Sequence, residues 1–214
     1  MNTNNQSNVL LPALLGAASL FLSGNLFGTF TIQDDLVVEG DTTLEKSLEI
    51  GTNADASGTH AIAGGVWSVA SGSHSIAIGE EAWATDWGAV SLGIWNYASG
   101  MGSFAVNEAN TASGRYSAAF GLDTIASGRR AASFGLVTRA QGLEQVVLGR
   151  YNVAQGSATT WVDTDDIFII GNGTGPSDRS NAFSVQKNGN AEFAGTVRVQ
   201  PGGDISMGNF TSSP

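Results

Sequence analysis

An alanine returns at every fourteenth position through the middle of the chain: Ala56, Ala70, Ala84, Ala98, Ala112, Ala126, Ala140 and Ala154. Two places later comes a glycine, at Gly58, Gly72, Gly100, Gly114, Gly128, Gly142 and Gly156, with Asp86 in the remaining slot. A second glycine series runs Gly51, Gly65, Gly79, Gly93, Gly121, Gly135 and Gly149, and there Asn107 is the exception. So strict a register demands a structure that repeats with the sequence. Asn and Asp are the non-glycine residues that best tolerate positive φ. Both series therefore predict a left-handed backbone turn, two per repeat, with two short extended segments between them. That is one coil of a β-solenoid. At ~3.3 Å per residue a coil has a contour of ~46 Å, and about eight coils stacked ~4.8 Å apart make a rod of ~38 Å.

Alternation within the coil assigns its faces. One carries Ile62, Ile76 with Ile78, Val90 with Leu92, Phe104 with Val106, Ala118 with Phe120, Ala132 with Phe134, and Val146. The other carries Ala61 and Ala63, Ser75 and Ala77, Ala89 and Ser91, Ser103 and Ala105, Ser117 and Ala119, and Ala131 and Ser133. Where the first large position shrinks to Ala118 or Ala132, its partner grows to phenylalanine, as a shared volume requires. Neither face carries a charge between Ala61 and Ser133, so both are expected to be buried. A fourteen-residue coil is too flat to bury both alone, so one face must meet another chain. Closed homo-oligomerisation follows, and three-fold symmetry suits a thin strand-built rod.

Composition narrows the function. Only 13% of residues are charged and 29 of 214 are glycine, against averages of about 25% and 7%, which fits a turn-dense all-β chain. The formal charge of −10 argues against nucleic acid as a partner, since phosphate binding needs a positive footprint. Without cysteine there is no disulfide framework, thiol nucleophile or lipid-bearing cysteine. Residues 9–22, VLLPALLGAASLFL, form the one long apolar run. It is short for a bilayer span and is interrupted by Pro12 and Gly16. The first basic residue is Lys46, so an assembly segment that stays with the protein competes with a secretory signal.

The phrases SIAIGEEAWATD, AVSLGIWNYASG, SAAFGLDTIASG and ASFGLVTRAQG resemble the head repeats of YadA-like trimeric adhesins, over residues 51–156. The resemblance implies a left-handed parallel β-roll, three chains packed side by side, a role in attachment and no catalytic residues. Residues 31–51, TIQDDLVVEGDTTLEKSLEIG, read as short strands turning at Gly40-Asp41 and are similar to shaft segments of viral tail fibres. Residues 167–200 resemble a segment near the ends of phage fibre proteins, and Asn188-Gly189 fits a tight hairpin turn. The chain ends at GNFTSSP and shows no heptads. With no room for a coiled-coil stalk and membrane barrel, it is not expected to be a complete autotransporter adhesin.

Trp67, Trp83, Trp87 and Trp95 lie within thirty residues, with Tyr97 beside them. Exposed aromatic rings of this kind stack on sugars or on apolar receptor groups; the structural alternative is packing between subunits. His60 and His74 share one register position and should stack ~4.8 Å apart. No third ligand accompanies them, so surface histidines are expected rather than a metal site. Arg115, Arg129 and Arg130, with Arg139 and Arg150 nearby, would engage an anionic glycan or phosphate, or pair with Asp123 and Glu144. Asp163, Asp165 and Asp166 fall where the repeat breaks down and suggest a cap rather than calcium, because the EF-hand pattern is absent. Gly171-Asn-Gly-Thr-Gly175 lacks the Lys-Ser/Thr and the following helix of a phosphate loop. The six-residue repeat of left-handed acyltransferases does not divide fourteen, no Ser-His-Asp arrangement is suggested, and no threonine ladder marks an ice-binding face. No cofactor is expected.

The sequence therefore predicts an all-β homotrimer. It comprises an apolar assembly or anchor segment (1–30), a shaft-like segment (31–50), a YadA-like head roll of fourteen-residue coils (51–160) and a carboxy-terminal β region with a hairpin (161–214). Its expected role is attachment of a phage or phage-like fibre to a host-surface glycan or protein, in a virion or at a cell surface. Residues 9–30 would contact virion or filament neighbours. The alternatives are an exported bacterial surface adhesin and a structural filament subunit.

Overall fold

A computed structural model describes residues 47–198. The apolar segment 1–30, nearly all of the shaft-like segment 31–50 and the last residues of the 161–214 region lie outside the described residues. Among the described residues there are strands, turns and irregular backbone but no helix.

The strands Leu48–Ile50, Ile62–Gly64, Ile76–Glu80, Val90–Ile94, Phe104–Glu108, Ala118–Leu122, Ala132–Leu136 and Val146–Arg150 pair in parallel. Each residue faces the one fourteen places on, in seven successive steps. The eight coils expected thus come to seven fourteen-residue steps; Val146 next pairs with Phe168, a step of twenty-two residues. Six two-residue strands, from Val69–Ala70 to Arg139–Ala140, stack in the same register as a second, shorter parallel sheet.

The core lies between the two sheets and is built almost entirely of small residues. Ala63, Ala77, Ser91, Ala105, Ala119 and Ser133 from the long sheet meet Ala70, Ala84, Ala98, Ala112, Ala126 and Ala140 from the short one, all fully buried. Within one chain only the small-residue face is enclosed, because sheets joined by such tight turns leave no room for isoleucine or phenylalanine; the large-residue face is the one left to meet another chain. The large apolar side chains point outward from the long sheet: Ile62, Ile76, Val90, Leu92, Phe104 and Phe134 are half-buried, and Ile78 is 48% exposed. The trade of volume also belongs to this outer face. Ala118 and Ala132 make room for Phe120 and Phe134, whose rings stack 5.0 Å apart, and Phe104 meets Phe120 edge-on at 5.2 Å.

The two glycine series have different causes. Gly79 has φ 134°, and Asn107 takes the same column at φ 86°, as expected of a left-handed turn. The other series does not take positive φ at Gly58, Gly72, Gly100, Gly114 or Gly128, nor does Asp86. Its glycines are needed because coils touch there: a Cβ on Gly72 would lie 2.0 Å from the Asp86 carbonyl oxygen. The left-handed residue of that turn comes two places later, as at His60, His74 and Tyr116. A third left-handed column runs Asn53, Trp67, Glu81, Trp95, Ala109, Asp123, Val137 and Tyr151, so each coil bends three times through positive φ rather than twice.

The roll ends by changing strand direction. Asp166–Asn172 continues the long sheet in parallel, then Asn181–Gln186 and Ala191–Phe193 add to it antiparallel. The expected hairpin forms at Asn188-Gly189, with Gly189 at φ 90° and the Gln186 N–H donating to the Asn190 carbonyl at 2.7 Å. The short sheet is closed differently. Asn152 accepts from the Arg139 N–H at 2.8 Å and donates to the Arg139 carbonyl at 3.0 Å, covering that strand with a side chain.

Candidate attachment site

In the short strands the alanine points inward, so the residue before it points out. That outward column reads Val69, Trp83, Tyr97, Thr111, Ile125 and Arg139. Trp83 and Tyr97 are therefore held side by side, with ring centroids 6.0 Å apart and planes tilted by 53°. Trp95 stands in the adjoining left-handed column at φ 55° and is 53% exposed. A bulky side chain there costs roughly 1–2 kcal/mol of backbone energy, with little packing in return. Trp83, Trp95 and Tyr97 enclose an open depression of about 410 Å³, completed by Glu81 and Asn96.

The remaining two tryptophans stand apart. Trp67 shares the column of Trp95 two coils away and does not line the depression. Trp87 lies on the opposite turn, 5.9 Å from the ring of His74, which is itself 5.1 Å from His60. The histidines thus stack as their register requires. Among the described residues no cluster of three His, Asp or Glu side chains converges.

Because the inner faces of both sheets meet in the alanine core, the outer face of the short sheet points away from the outer face of the long one. A partner that covers the apolar long sheet leaves Trp83 and Tyr97 accessible. The family model for the YadA head domain repeat matches residues 70–86, in two copies. This solenoid is built of YadA-like head repeats. No curated protein matches the chain. A YadA-like head suggests an adhesin, with the extracellular or surface-exposed location and the structural, adhesive role typical of such heads. YadA-like adhesins form homotrimers and bind host surfaces in general.

Arg115, Arg129 and Arg130 of this YadA-like head come from adjacent coils, the Arg130 N–H donating to the Arg115 carbonyl at 2.9 Å. Arg130 is engaged by Glu144, its Nε donating to Oε1 at 2.9 Å. Arg115 lies over the ring of Tyr116 at 5.0 Å and donates to its hydroxyl at 3.2 Å. The Arg129 side chain is half-buried, and its backbone N–H donates to the Ala158 carbonyl.

Past the last full coil, the three aspartates are committed to the protein. Asp163 accepts from the indole N–H of Trp161 at 2.8 Å. Asp165 accepts from the Ser157 N–H at 2.7 Å and lies 3.8 Å from Lys187 Nζ. The Lys187 ammonium is buried over the Trp161 ring, 5.0 Å from its centroid. Asp166 is buried, and desolvation pushes its carboxyl above the ordinary carboxylate range, although hydrogen bonds from Gln155 and Ser184 oppose the shift.

A buried polar column escaped the sequence reading. Ser68, Asn96, Asn110, Thr124, Thr138 and Asn152 recur at fourteen-residue spacing, with Ala82 interposed, and all are fully buried. The signal was present in that spacing, but asparagine beside a turn reads as a solvated loop residue.

Proposed function

We propose that this chain is a non-enzymatic, homotrimeric fibre protein of a phage or phage-like particle, whose YadA-like head attaches to a host-surface glycan or protein. The observation that carries the reading is the outer face of the long sheet. Its two main outward columns are apolar from Ile62 to Phe134, with Glu80 and Glu108 only at strand ends; it carries the Phe104–Phe120–Phe134 stack and leaves Ile78 exposed. An apolar strip of that length calls for a partner, and further copies of the same chain supply identical strips in the same register. The phage assignment is supported by the likeness of residues 167–200 to the ends of fibre proteins. The aromatic residues Trp83, Trp95 and Tyr97, with Trp67 and Trp87 on the flanking turns, are the proposed contact surface.

The apolar run at 9–22 favours one other reading, an exported bacterial surface adhesin. Mass spectrometry of the native assembly separates the two. Three copies beginning at Met1 support the fibre, and three copies trimmed near residues 22–30 support export. A monomer overturns both. A filament subunit would instead polymerise with concentration and lose that behaviour when residues 1–30 are removed.

A further inference from the structure

We propose that the depression bounded by Trp83, Trp95, Tyr97 and Glu81 binds a neutral pyranose sugar, with the rings as stacking platforms and the Glu81 carboxylate as hydroxyl acceptor. The proposal rests on the attachment reading above and narrows it to one site and one ligand class.

Three observations converge. The first is geometry. Trp83 and Tyr97 project from strands whose neighbouring residues, Ala84 and Ala98, are locked in the core, so the backbone beneath the two rings is fixed before a ligand arrives. Their 6.0 Å spacing and 53° tilt form an open V, into which the C–H face of a sugar ring can lie against one aromatic face. Its hydroxyl rim stays at the edge. Aromatic side chains with one apolar face and one wet edge suit that amphipathic ligand.

The second is charge. Glu81 is the one charged residue lining the depression, and it is negative. An ionised carboxylate only accepts hydrogen bonds, so it recognises hydroxyl donors and repels sialic acids, uronic acids and phosphates. The lining has no arginine or lysine to reverse that preference. Asn96 adds no second polar handle through its amide nitrogen, which already donates to the carbonyls of Leu92 and Asn107 at 2.8 and 2.7 Å.

The third is exposure. The left-handed column of Trp95 holds Trp67, Glu81, Val137 and Tyr151 as well as Asn53, Ala109 and Asp123, so bulk there is not peculiar to this coil. What is peculiar is that the half-exposed Trp95 ring stands with the exposed Trp83 and Tyr97 around one depression, a grouping of apolar surface that suits a ligand. The outward column changes to Thr111 after Tyr97, so the platform spans two coils and fits a short saccharide rather than a long polymer. Three copies in a trimer would present three equivalent sites and raise a weak single affinity through avidity.

The test uses the full-length trimer on immobilised neutral and acidic glycans, with tryptophan fluorescence titration against neutral oligosaccharides in solution. Native mass and circular dichroism confirm that each variant still assembles. Neutral glycans are expected to bind, and Trp83→Ala or Trp95→Ala should weaken binding by about tenfold. Glu81→Gln should weaken it less, and Tyr116→Ala, which removes an exposed ring in the His74 column away from the depression, should leave it unchanged. Binding to acidic glycans alone, or an equal loss in Tyr116→Ala, overturns the proposal. Attachment to cells or to a purified protein without any glycan binding also overturns it while leaving the attachment function standing. A trimer that attaches to no surface overturns both.

Discussion

Asn96 and Asn110 lock successive coils together: the Oδ1 of Asn96 accepts the backbone N–H of Asn110 at 2.9 Å, fourteen residues on. Asn110 repeats the arrangement with Thr124, accepting its N–H at 2.9 Å and its hydroxyl at 2.7 Å. Each Nδ2 donates twice, once within its coil and once to the coil above. For Asn110 the acceptors are the Val106 and Gly121 carbonyls, both at 2.7 Å. The amides thus satisfy turn carbonyls that the stacked coils have shut away from water.

Asn110→Ala is expected to destabilise the head by about 3 kcal/mol, because it strands several buried donors and acceptors at once. Thr124→Val removes one hydroxyl donor from the same network and should cost nearer 1 kcal/mol. Urea unfolding of the two variants checks the ratio, and equal losses would show that the ladder is not cooperative.

Two glycines in left-handed conformations offer a sharper contrast. At Gly79 a Cβ would lie 1.8 Å from the Gly93 carbonyl oxygen, whereas at Gly88 it would meet nothing within 4 Å. Gly88→Ala should cost only its backbone penalty, about 1–2 kcal/mol. Gly79→Ala should force the coils apart and prevent assembly of a protease-resistant head, which limited proteolysis would detect.

How far the sequence could be read follows from what each residue does. The period of fourteen, the left-handed turn at Asn107 and the hairpin at Gly189 were legible, since each is a local property of residue type. The reason for Gly72 was not, because contact with Asp86 one coil away leaves the same glycine in the sequence as a positive φ would. Which face forms the core was also hidden: alternation separates Ile76 from Ala77 without saying which of them points inward. The candidate site was half legible. The aromatic cluster is visible as composition, but only the fold parts Trp87 from Trp83, and only the fold brings Glu81 between Trp83 and Trp95.

Asp166 gives the cap a pH dependence of its own. Burial raises its folded pKa above the unfolded value, so the folded protein holds this proton more tightly than the unfolded chain does. Its contribution is fully present below the unfolded pKa and is lost as pH rises through the raised folded pKa. Asp166→Asn mimics the protonated group. It should raise Tm at pH 7, with an advantage that shrinks toward zero as pH falls to about 4; a constant offset across that range would disprove the linkage.

Lys187 and Asp165 should be unequal in their removal. Lys187→Met keeps an apolar stem over Trp161 and deletes the buried charge. Asp165→Asn leaves the buried ammonium without its carboxylate, which is expected to cost about 3–5 kcal/mol, well above the lysine variant. Thermal unfolding of the two single variants distinguishes this order from a simple loss of one ion pair.

The constant step between Leu48 and Val146 also makes the molecule a gauge. Every coil offers its neighbours the same two ladders, so an in-frame gain or loss of one repeat by recombination splices without a scar. The antiparallel terminus stays as it was, and only the distance from base to tip changes, in increments of ~4.8 Å. Reach is thereby separable from contact chemistry: copy number sets one, and side chains at outward columns such as that of Trp83 and Tyr97 set the other.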